Sequence, residues 1–457
     1  MYRVLLSLGM ACALLLFVPR HAMAQAGEPP APPAYDLNHV LEPALTRPSA
    51  AVALPPVETI GLQQALDLAL AASPELSAAR HESDAVAATI RQAGLIPNPS
   101  VSMGIEDTRR DTRTSTFEIS QPIELGGKRA ARVTAATRAH EAAQANLLGR
   151  EAEVRAAVIT AFFAVLHAQE RLQLAEASLD VARRGSEIAA RRVKAGKVSP
   201  VEETRARIAE AGVRLDASQA AGELAVARRK LAATWGRSQP HFARADGRMT
   251  ALPELPALAT MEAQLDASPA MQRARAEVLR WEAVSDLEKR KRTPDLTVSF
   301  GVQREAELGR NQGLIGVSIP LPLFDRNQGN LLEALRRTDK ARDELQAAGL
   351  RLDSELAQAH ELLNQARIQA GTLEREVLPA AQSAYDAAAK GFEFGKFDFL
   401  DVLDAQRTLL QARAQYLRAL AEAHTASAEI ERLLGSAAPS PIPASRQSDV
   451  IPNSAGR

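Results

Sequence analysis

The sequence predicts a mainly α-helical fold with a small β part, built from long antiparallel helices and repeated once along the chain. Three observations carry this expectation. The composition is crowded with Ala, Arg, Glu, Gln and Leu and is only 4% aromatic, which favours long helices packed through small residues. Two stretches, Gly127–Gly196 and Asn327–Gly395, are almost free of helix breakers. Four short segments alternate apolar and polar residues, the period of strands with one apolar face.

From the amino terminus, Arg3 precedes an apolar run from Val4 to Val18, then Pro19 and the small-x-small site Ala22-Met23-Ala24. That order predicts a secretory signal peptide over residues 1–24, cleaved after Ala24. Cys12, the single cysteine, lies inside its apolar core in a poor lipidation context, Gly9-Met10-Ala11. The mature chain is therefore expected to have no disulfide framework and no thiol chemistry. Residues 25–58, with Pro29, Pro30, Pro32, Pro33, Pro55 and Pro56, read as an extended arm, and the Ser/Pro/Ala-rich residues 436–457 as a loose tail.

Lys+Arg 55 balance Asp+Glu 55, so the chain lacks the basic field that nucleic-acid binding relies on. No segment after the leader is apolar enough to cross a bilayer as a helix. A membrane location would then require a closed β-barrel, because lipid does not tolerate open strand edges.

Between arm and tail the chain repeats itself. Ala72-Ser73-Pro74 returns as Ala267-Ser268-Pro269, Pro97 as Pro294, Pro122 as Pro320, Gly196 as Gly395, and Trp235-Gly236 as Leu434-Gly435. Five matches in order at a nearly constant offset predict two copies of one unit, residues 59–236 and 257–435, joined by a linker at 237–256. In each unit a serine and proline open a helix: Ser73 as N-cap with Pro74 and Glu75 in the first turn, ending near Gly94, and Ser268-Pro269, ending near Arg292. Two strands follow, near 99–124 and near 294–322. Val101, Met103 and Ile105 alternate with polar or small residues, as do Phe117, Ile119 and Ile123. In the second unit Leu296, Val298, Phe300 and Val302 do the same, then Ile315, Val317, Ile319 and Leu321. The connecting loops are Asp107–Asp111 and Arg304–Glu307. Such strands approach the roughly 9–11 residues of a tilted membrane strand, but four cannot close a barrel, so a barrel needs several chains.

The breaker-free stretches make rods on the order of 100 Å at about 1.5 Å per residue. Pro379 should kink or split the second, and each ends at a glycine suited to a left-handed cap, Gly196 or Gly395. Returning helices follow over 199–235 and 397–434. On the last, Val402, Ala405, Leu409, Ala412, Tyr416, Ala419, Ala423, Ala426, Ile430 and Leu433 form a heptad seam. A second stripe, Asp401, Asp404, Thr408, Gln411, Gln415, Arg418 and Glu422, stays polar. It is either a solvated outer face or the lining of a water-filled bore, and the sequence alone leaves both open.

The seven histidines beyond the leader are scattered, with no His-x-x-His pair. His167 and Glu170, one turn apart, read as surface decoration. Neither a phosphate loop nor a nucleophile elbow is present, and Gly126-Gly127-Lys128 lacks the Walker spacing. The expectation is no enzyme, no cofactor and no resident metal.

Three passages resemble the TolC-type outer-membrane factors, and within them the cobalt-zinc-cadmium branch that serves heavy-metal RND exporters. Gln121-Pro122-Ile123-Glu124-Leu125-Gly126-Gly127-Lys128-Arg129 is similar to the branch's start of the first long helix. Ile319-Pro320-Leu321-Pro322-Leu323-Phe324-Asp325-Arg326-Asn327-Gln328-Gly329-Asn330 is similar to the start of the second. Gly395-Lys396-Phe397-Asp398-Phe399-Leu400-Asp401-Val402-Leu403-Asp404-Ala405-Gln406 is similar to the superfamily's periplasmic tip. The resemblance implies a homotrimer in the Gram-negative outer membrane. Its chains share a transmembrane β-barrel continued by a helical barrel across the periplasm. It also implies a periplasmic membrane-fusion adaptor docking at Gly196, Lys197, Gly395 and Lys396, and an inner-membrane RND transporter as energy source. By the same resemblance Asp401 and Asp404 would narrow the tunnel's inner end; on the bore reading of the polar stripe, Thr408, Gln411, Gln415 and Arg418 would line the pore. Charge-ring logic agrees, since crowded carboxylates attract cations. The expected function is an outer-membrane exit duct of a tripartite pump exporting divalent cobalt, zinc or cadmium. The alternatives are a duct for multidrug or organic compounds and a soluble periplasmic coiled-coil scaffold.

Overall fold

The computed structural model describes residues 57–107, 109–394, 396–397 and 399–435. The expected signal peptide (1–24), Cys12, most of the proline-rich arm, the tail (436–457) and Gly395 lie outside the described residues.

The first half runs β1 (Val57–Gly61), α1 (Leu62–Ala72), α2 (Pro74–Ala93), β2 (Ser100–Glu106), β3 (Thr114–Ile123), α3 (Lys128–Lys194) and α4 (Pro200–Ala233). The second follows the same order with β4 (Phe242–Asp246), α5 (Leu258–Leu265), α6 (Pro269–Arg290), β5 (Leu296–Glu305) and β6 (Arg310–Ser318). It ends with α7 (Gln328–Thr372), a π-turn (Leu373–Val377), α8 (Leu378–Glu393) and α9 (Phe399–Leu434). The 67 residues of α3 extend roughly 100 Å at 1.5 Å per residue. The expected 237–256 linker carries β4, which pairs in parallel with β1.

Local chemistry explains most element ends. Ser268 Oγ accepts the Met271 amide at 3.3 Å and caps α6. Ser73 sits at the same place before α2 but makes no side-chain cap. It is buried, and its own amide closes α1 on the Ala69 carbonyl at 2.9 Å, so position rather than hydroxyl chemistry makes it the boundary. The second rod is interrupted at Pro379. Proline has no amide to donate, and just before it the Leu378 amide reaches back five residues to the Leu373 carbonyl, the wide turn of a π-bulge.

Two strand limits differ from the sequence expectation. Arg304 and Glu305 belong to β5, paired with Asn311 and Arg310, and not to a loop. Correspondingly β6 starts at Arg310 and stops at Ser318, so Ile319 and Leu321 lie beyond it. Apolar alternation marks the greasy part of a strand and is blind to its polar outer end.

Helices α2, α3, α6 and α7 lie side by side, α4 packs along α3, and α9 packs against α3, α7 and α8. Alanines dominate the buried positions of α3, among them Ala131, Ala135, Ala142 and Ala145, which brings backbones close together. Bulk is concentrated where Phe162, Val158 and Val165 of α3 meet Leu231, Trp235 and Phe242. A second core joins Leu352, Leu356 and Leu363 of α7 to Ile430 and Leu433 of α9. The chain between the halves is gripped by side chains reading its backbone. Gln169 bonds both the amide and the carbonyl of Ala245, at 2.8 and 3.1 Å. His424 bonds the Met249 carbonyl at 3.0 Å while its ring stacks on Phe163. Arg367 donates to the Pro253 carbonyl, and His360 bonds that of Pro256 at 3.2 Å.

Candidate functional site: a two-faced sheet and the helix tips

The four strands pair in the order β2-β3-β5-β6, all antiparallel, so the two hairpins join through β3 and β5. Directly paired residues share a face. One row reads Val101, Ile119, Phe300, Ile315 and the next Met103, Phe117, Val302, Gly313. This face is exposed, with Ile315 at 80% and Met103 at 73%. Burying such side chains contributes about 1.5–3 kcal/mol each, so the seven apolar ones in these rows are held out of an apolar phase worth on the order of 10–20 kcal/mol. Gln121 interrupts the greasy face near its end, and its amide group is satisfied by the carbonyls of Pro97 and Pro122, both at 2.9 Å.

The opposite face is polar or small. Its rows include Ser100, Ser120 and Ser299, then Ser102, Glu118 and Gly301, then Thr116 and Gln303. Ser100 and Ser120 hydroxyls meet at 2.7 Å. Within the described residues β2 and β6 each have only one strand partner, which leaves both sheet edges open. Below the sheet, Gly126 and Gly127 both take positive φ, 70° and 72°, to turn the chain into α3. Lys128 anchors that turn to Asp295 at 2.7 Å, and Arg132 pairs with Glu124 through two hydrogen bonds.

At the far end of α3, Gly196 (φ 68°) follows the C-cap Ala195. Its amide bonds the Val193 carbonyl at 2.9 Å, and the Lys197 amide bonds that of Arg192 at 3.0 Å. These are the two bonds of a Schellman motif. Ser199 and Pro200 then start α4, with the Val201 amide on Ser199 Oγ at 3.3 Å. The second tip is built alike: the Lys396 amide bonds the Gly391 carbonyl at 2.7 Å. Lys197 and Lys396 are exposed; Gly395 itself is outside the described residues.

On α9 the seam and the stripe separate cleanly. Val402, Leu409, Ala412, Ala419, Ala423, Ala426, Ile430 and Leu433 are buried. Asp401, Asp404, Thr408, Gln411, Gln415 and Arg418 are all exposed on a neighbouring face, each one residue, or about 100°, round the helix from a seam position. The Thr408 hydroxyl bonds the Asp404 carbonyl at 2.9 Å, so it is committed to its own helix. Arg418 approaches His167 of α3, whose imidazole is pushed below its ordinary range by burial and by the nearby Arg171 and Arg418 charges. His167 is therefore part of a packed helix contact and not surface decoration. One contact escaped the sequence reading: Arg192, just before the first tip, lies over the Phe392 ring near the second, 4.0 Å from guanidinium carbon to ring centroid. Nothing in the sequence pairs these two positions, because the pairing is set by which hairpins the fold makes adjacent.

A sheet with a greasy face, a polar face and two open edges, continued by helices of this length, defines the barrel-and-helix class of outer-membrane channels. The chain belongs to the outer membrane efflux protein family, whose profile matches residues 65–237 and again 260–436. It is similar to the cobalt-zinc-cadmium resistance protein CzcC of Cupriavidus metallidurans, 46% identical over 435 residues that span 95% of this chain and 100% of the relative. It is also similar to the nickel and cobalt resistance protein CnrC of the same organism, 30% identical over 338 residues, 72% of this chain and 76% of the relative. Among solved structures, the Campylobacter jejuni CmeC outer membrane channel shares the fold at a TM-score of 0.70 and 16% identity, over 82% of this chain and 85% of that one. The protein is accordingly an outer-membrane channel protein of the Gram-negative envelope that extends into the periplasm.

Proposed function

We propose that three copies of this chain form the exit duct of a tripartite efflux pump for divalent heavy-metal cations such as cobalt, zinc or cadmium. The observation that carries the reading is the sheet: its greasy face asks for lipid, and its open edges β2 and β6 cannot be left in lipid unpaired. Twelve strands from three copies are ample for closure, since membrane barrels start at about eight. The polar face then surrounds water. The long helices continue the wall, and the polar stripe of α9 faces the bore through Thr408, Gln411, Gln415 and Arg418. Asp401 and Asp404 from each copy form an acidic ring at the inner end, where close carboxylates attract cations. The turns at Gly196-Lys197 and Gly395-Lys396 dock a periplasmic membrane-fusion adaptor, and an inner-membrane RND transporter supplies the energy. The metal cargo is inferred from the likeness to CzcC and CnrC.

Purification from outer membranes tests the assembly: the reading requires a detergent-dependent trimer that conducts ions in planar bilayers. A monomer soluble without detergent refutes it. Cargo is tested by deleting the gene in its own host and titrating Co, Zn, Cd and, as the contrasting class, hydrophobic dyes. Sensitivity confined to dyes overturns the metal assignment.

A further inference from the structure

The polar face of the sheet carries few ionisable groups, and the strand register sorts them. Glu106, Thr114, Glu305 and Arg310 stand in one row at the outer rim. There two acids and one base per chain partly cancel. The remaining ionisable residue on this face is Glu118, in the fifth position of the ten-residue strand β3. It lies four residues from the rim row, or roughly 13 Å at strand rise. Its paired neighbours are Ser102 on β2 and Gly301 on β5, with Leu314 next in the row. Gly301 leaves the flank of Glu118 open. A Cβ there would fall 2.8 Å from the Phe117 carbonyl oxygen and 3.4 Å from the Glu118 Cβ. Glu118 has no ion-pair partner among the described residues.

A lone carboxylate on a strand is ordinarily a solvated surface charge. Here its face is the one turned away from the greasy side, and its row contains no cation. We infer that Glu118 is a specificity-determining residue, three copies of which form a cation-attracting ring midway through the exit barrel, separate from the acidic positions on α9. This rests on the three-chain duct proposed above. Twelve strands spaced about 4.8 Å apart and tilted about 40° enclose a wall of roughly 12 Å radius. A glutamate reaching inward then holds its charge roughly 8 Å from the axis and roughly 14 Å from its two mates. The Debye length is about 30 Å in 10 mM salt, about 8 Å at physiological strength and about 3 Å in 1 M salt. The ring's field therefore fills the bore in dilute salt, hugs the wall at physiological strength and vanishes at high salt. A divalent cation leaving the duct meets a surface of favourable potential that an anion does not.

The test is the reversal potential of the purified protein in planar bilayers under a potassium chloride gradient. It is run in the Asp401→Ala, Asp404→Ala background, so that the inner end contributes no acidic ring. With about 10 mM salt on the dilute side, the expected result is a cation preference that falls severalfold toward unity in Glu118→Gln and inverts in Glu118→Arg, while all three converge in 1 M salt. Channels of unchanged conductance whose reversal potential ignores residue 118 in dilute salt overturn the assignment and leave the duct standing. If the unsubstituted chain forms no conducting unit at all, the duct falls and the ring with it. Glu118→Gln keeps size and shape, so it decides the matter even if Glu118→Arg fails to assemble.

Discussion

Replacing Phe392 by leucine should loosen the periplasmic end of the duct. The Arg192 guanidinium carbon stands 4.0 Å from the centre of the Phe392 ring, tying the α3/α4 hairpin to the α8/α9 hairpin near their tips. Both side chains are half-buried, where a cation–π contact is worth about 1 kcal/mol. Leucine keeps most of the apolar volume and removes the ring face. In the proposed three-copy duct, tips opening together would lose about 3 kcal/mol, and since about 1.4 kcal/mol is tenfold in an equilibrium, the open-to-closed ratio should rise roughly a hundredfold. Hairpins that move one at a time would instead give roughly fivefold per contact. Single-channel recording in planar bilayers distinguishes the two through open probability and the number of conductance levels. Phe392→Trp, which offers a better ring face, should restore the closed behaviour. Identical open probability in Phe392→Leu and the parent, or a tryptophan that behaves like leucine, refutes the tie.

Removing both acids of α9, Asp401→Ala with Asp404→Ala, should raise single-channel conductance and lower cation preference; unchanged values in both would remove the gate role. Leu356 is 0% exposed in the α7–α9 core, so Leu356→Ala should destabilise by about 2–5 kcal/mol, seen as a melting temperature several degrees lower by circular dichroism. Gly126 has φ 70°, and a Cβ there would sit 2.8 Å from Thr293 Cβ. Gly126→Ala should lower the unfolding temperature, and Thr293→Ala, which removes Oγ1 and Cγ2 but keeps the Cβ, should recover only some of the steric loss and none of the part due to a left-handed backbone, about 1–2 kcal/mol. Burial holds the His424 imidazole below its ordinary 6.5 despite the Met249 carbonyl. The unfolded chain therefore binds the proton first: stability is full above the ordinary pKa and falls as pH drops through it toward the lower folded value. His424→Phe keeps a ring on Phe163, and the loss of melting temperature between about pH 7.5 and 5.5 should shrink; an unaltered loss would acquit the residue.

How legible was this molecule in its sequence? The long helices were, because nothing between Lys128 and Lys194 interrupts them and proline and glycine punctuation marks both ends. The strands were legible in their greasy parts only. Arg304 and Glu305 pair as regularly as Phe300 does, yet an alternation of apolar residues cannot show it. The α9 seam and stripe were largely readable, since a heptad pattern is one face of one helix, although Ala405 and Tyr416 of the seam are only half-buried. Contacts between distant elements were not. The stacking of His424 on Phe163, the grip of Gln169 on Ala245 and the Arg192–Phe392 contact each join residues with no shared local pattern. The short β1–β4 pair was equally hidden, for five residues beside a proline-rich run carry too little periodicity to stand out.

The two open edges of the sheet bear on how such a protein reaches its place. Among the described residues one chain has two open strand edges, and a pair of chains joined through one of them would still have two; the proposed third copy closes both at once. In the proposed ring the first association makes one of three edge-to-edge joins and the third copy makes the other two together, which favours the closed ring over half-built forms. Until then every chain in transit presents a sticky template for wrong partners. On that geometry, an escort through the aqueous compartment and insertion after closure would each guard the exposed edges.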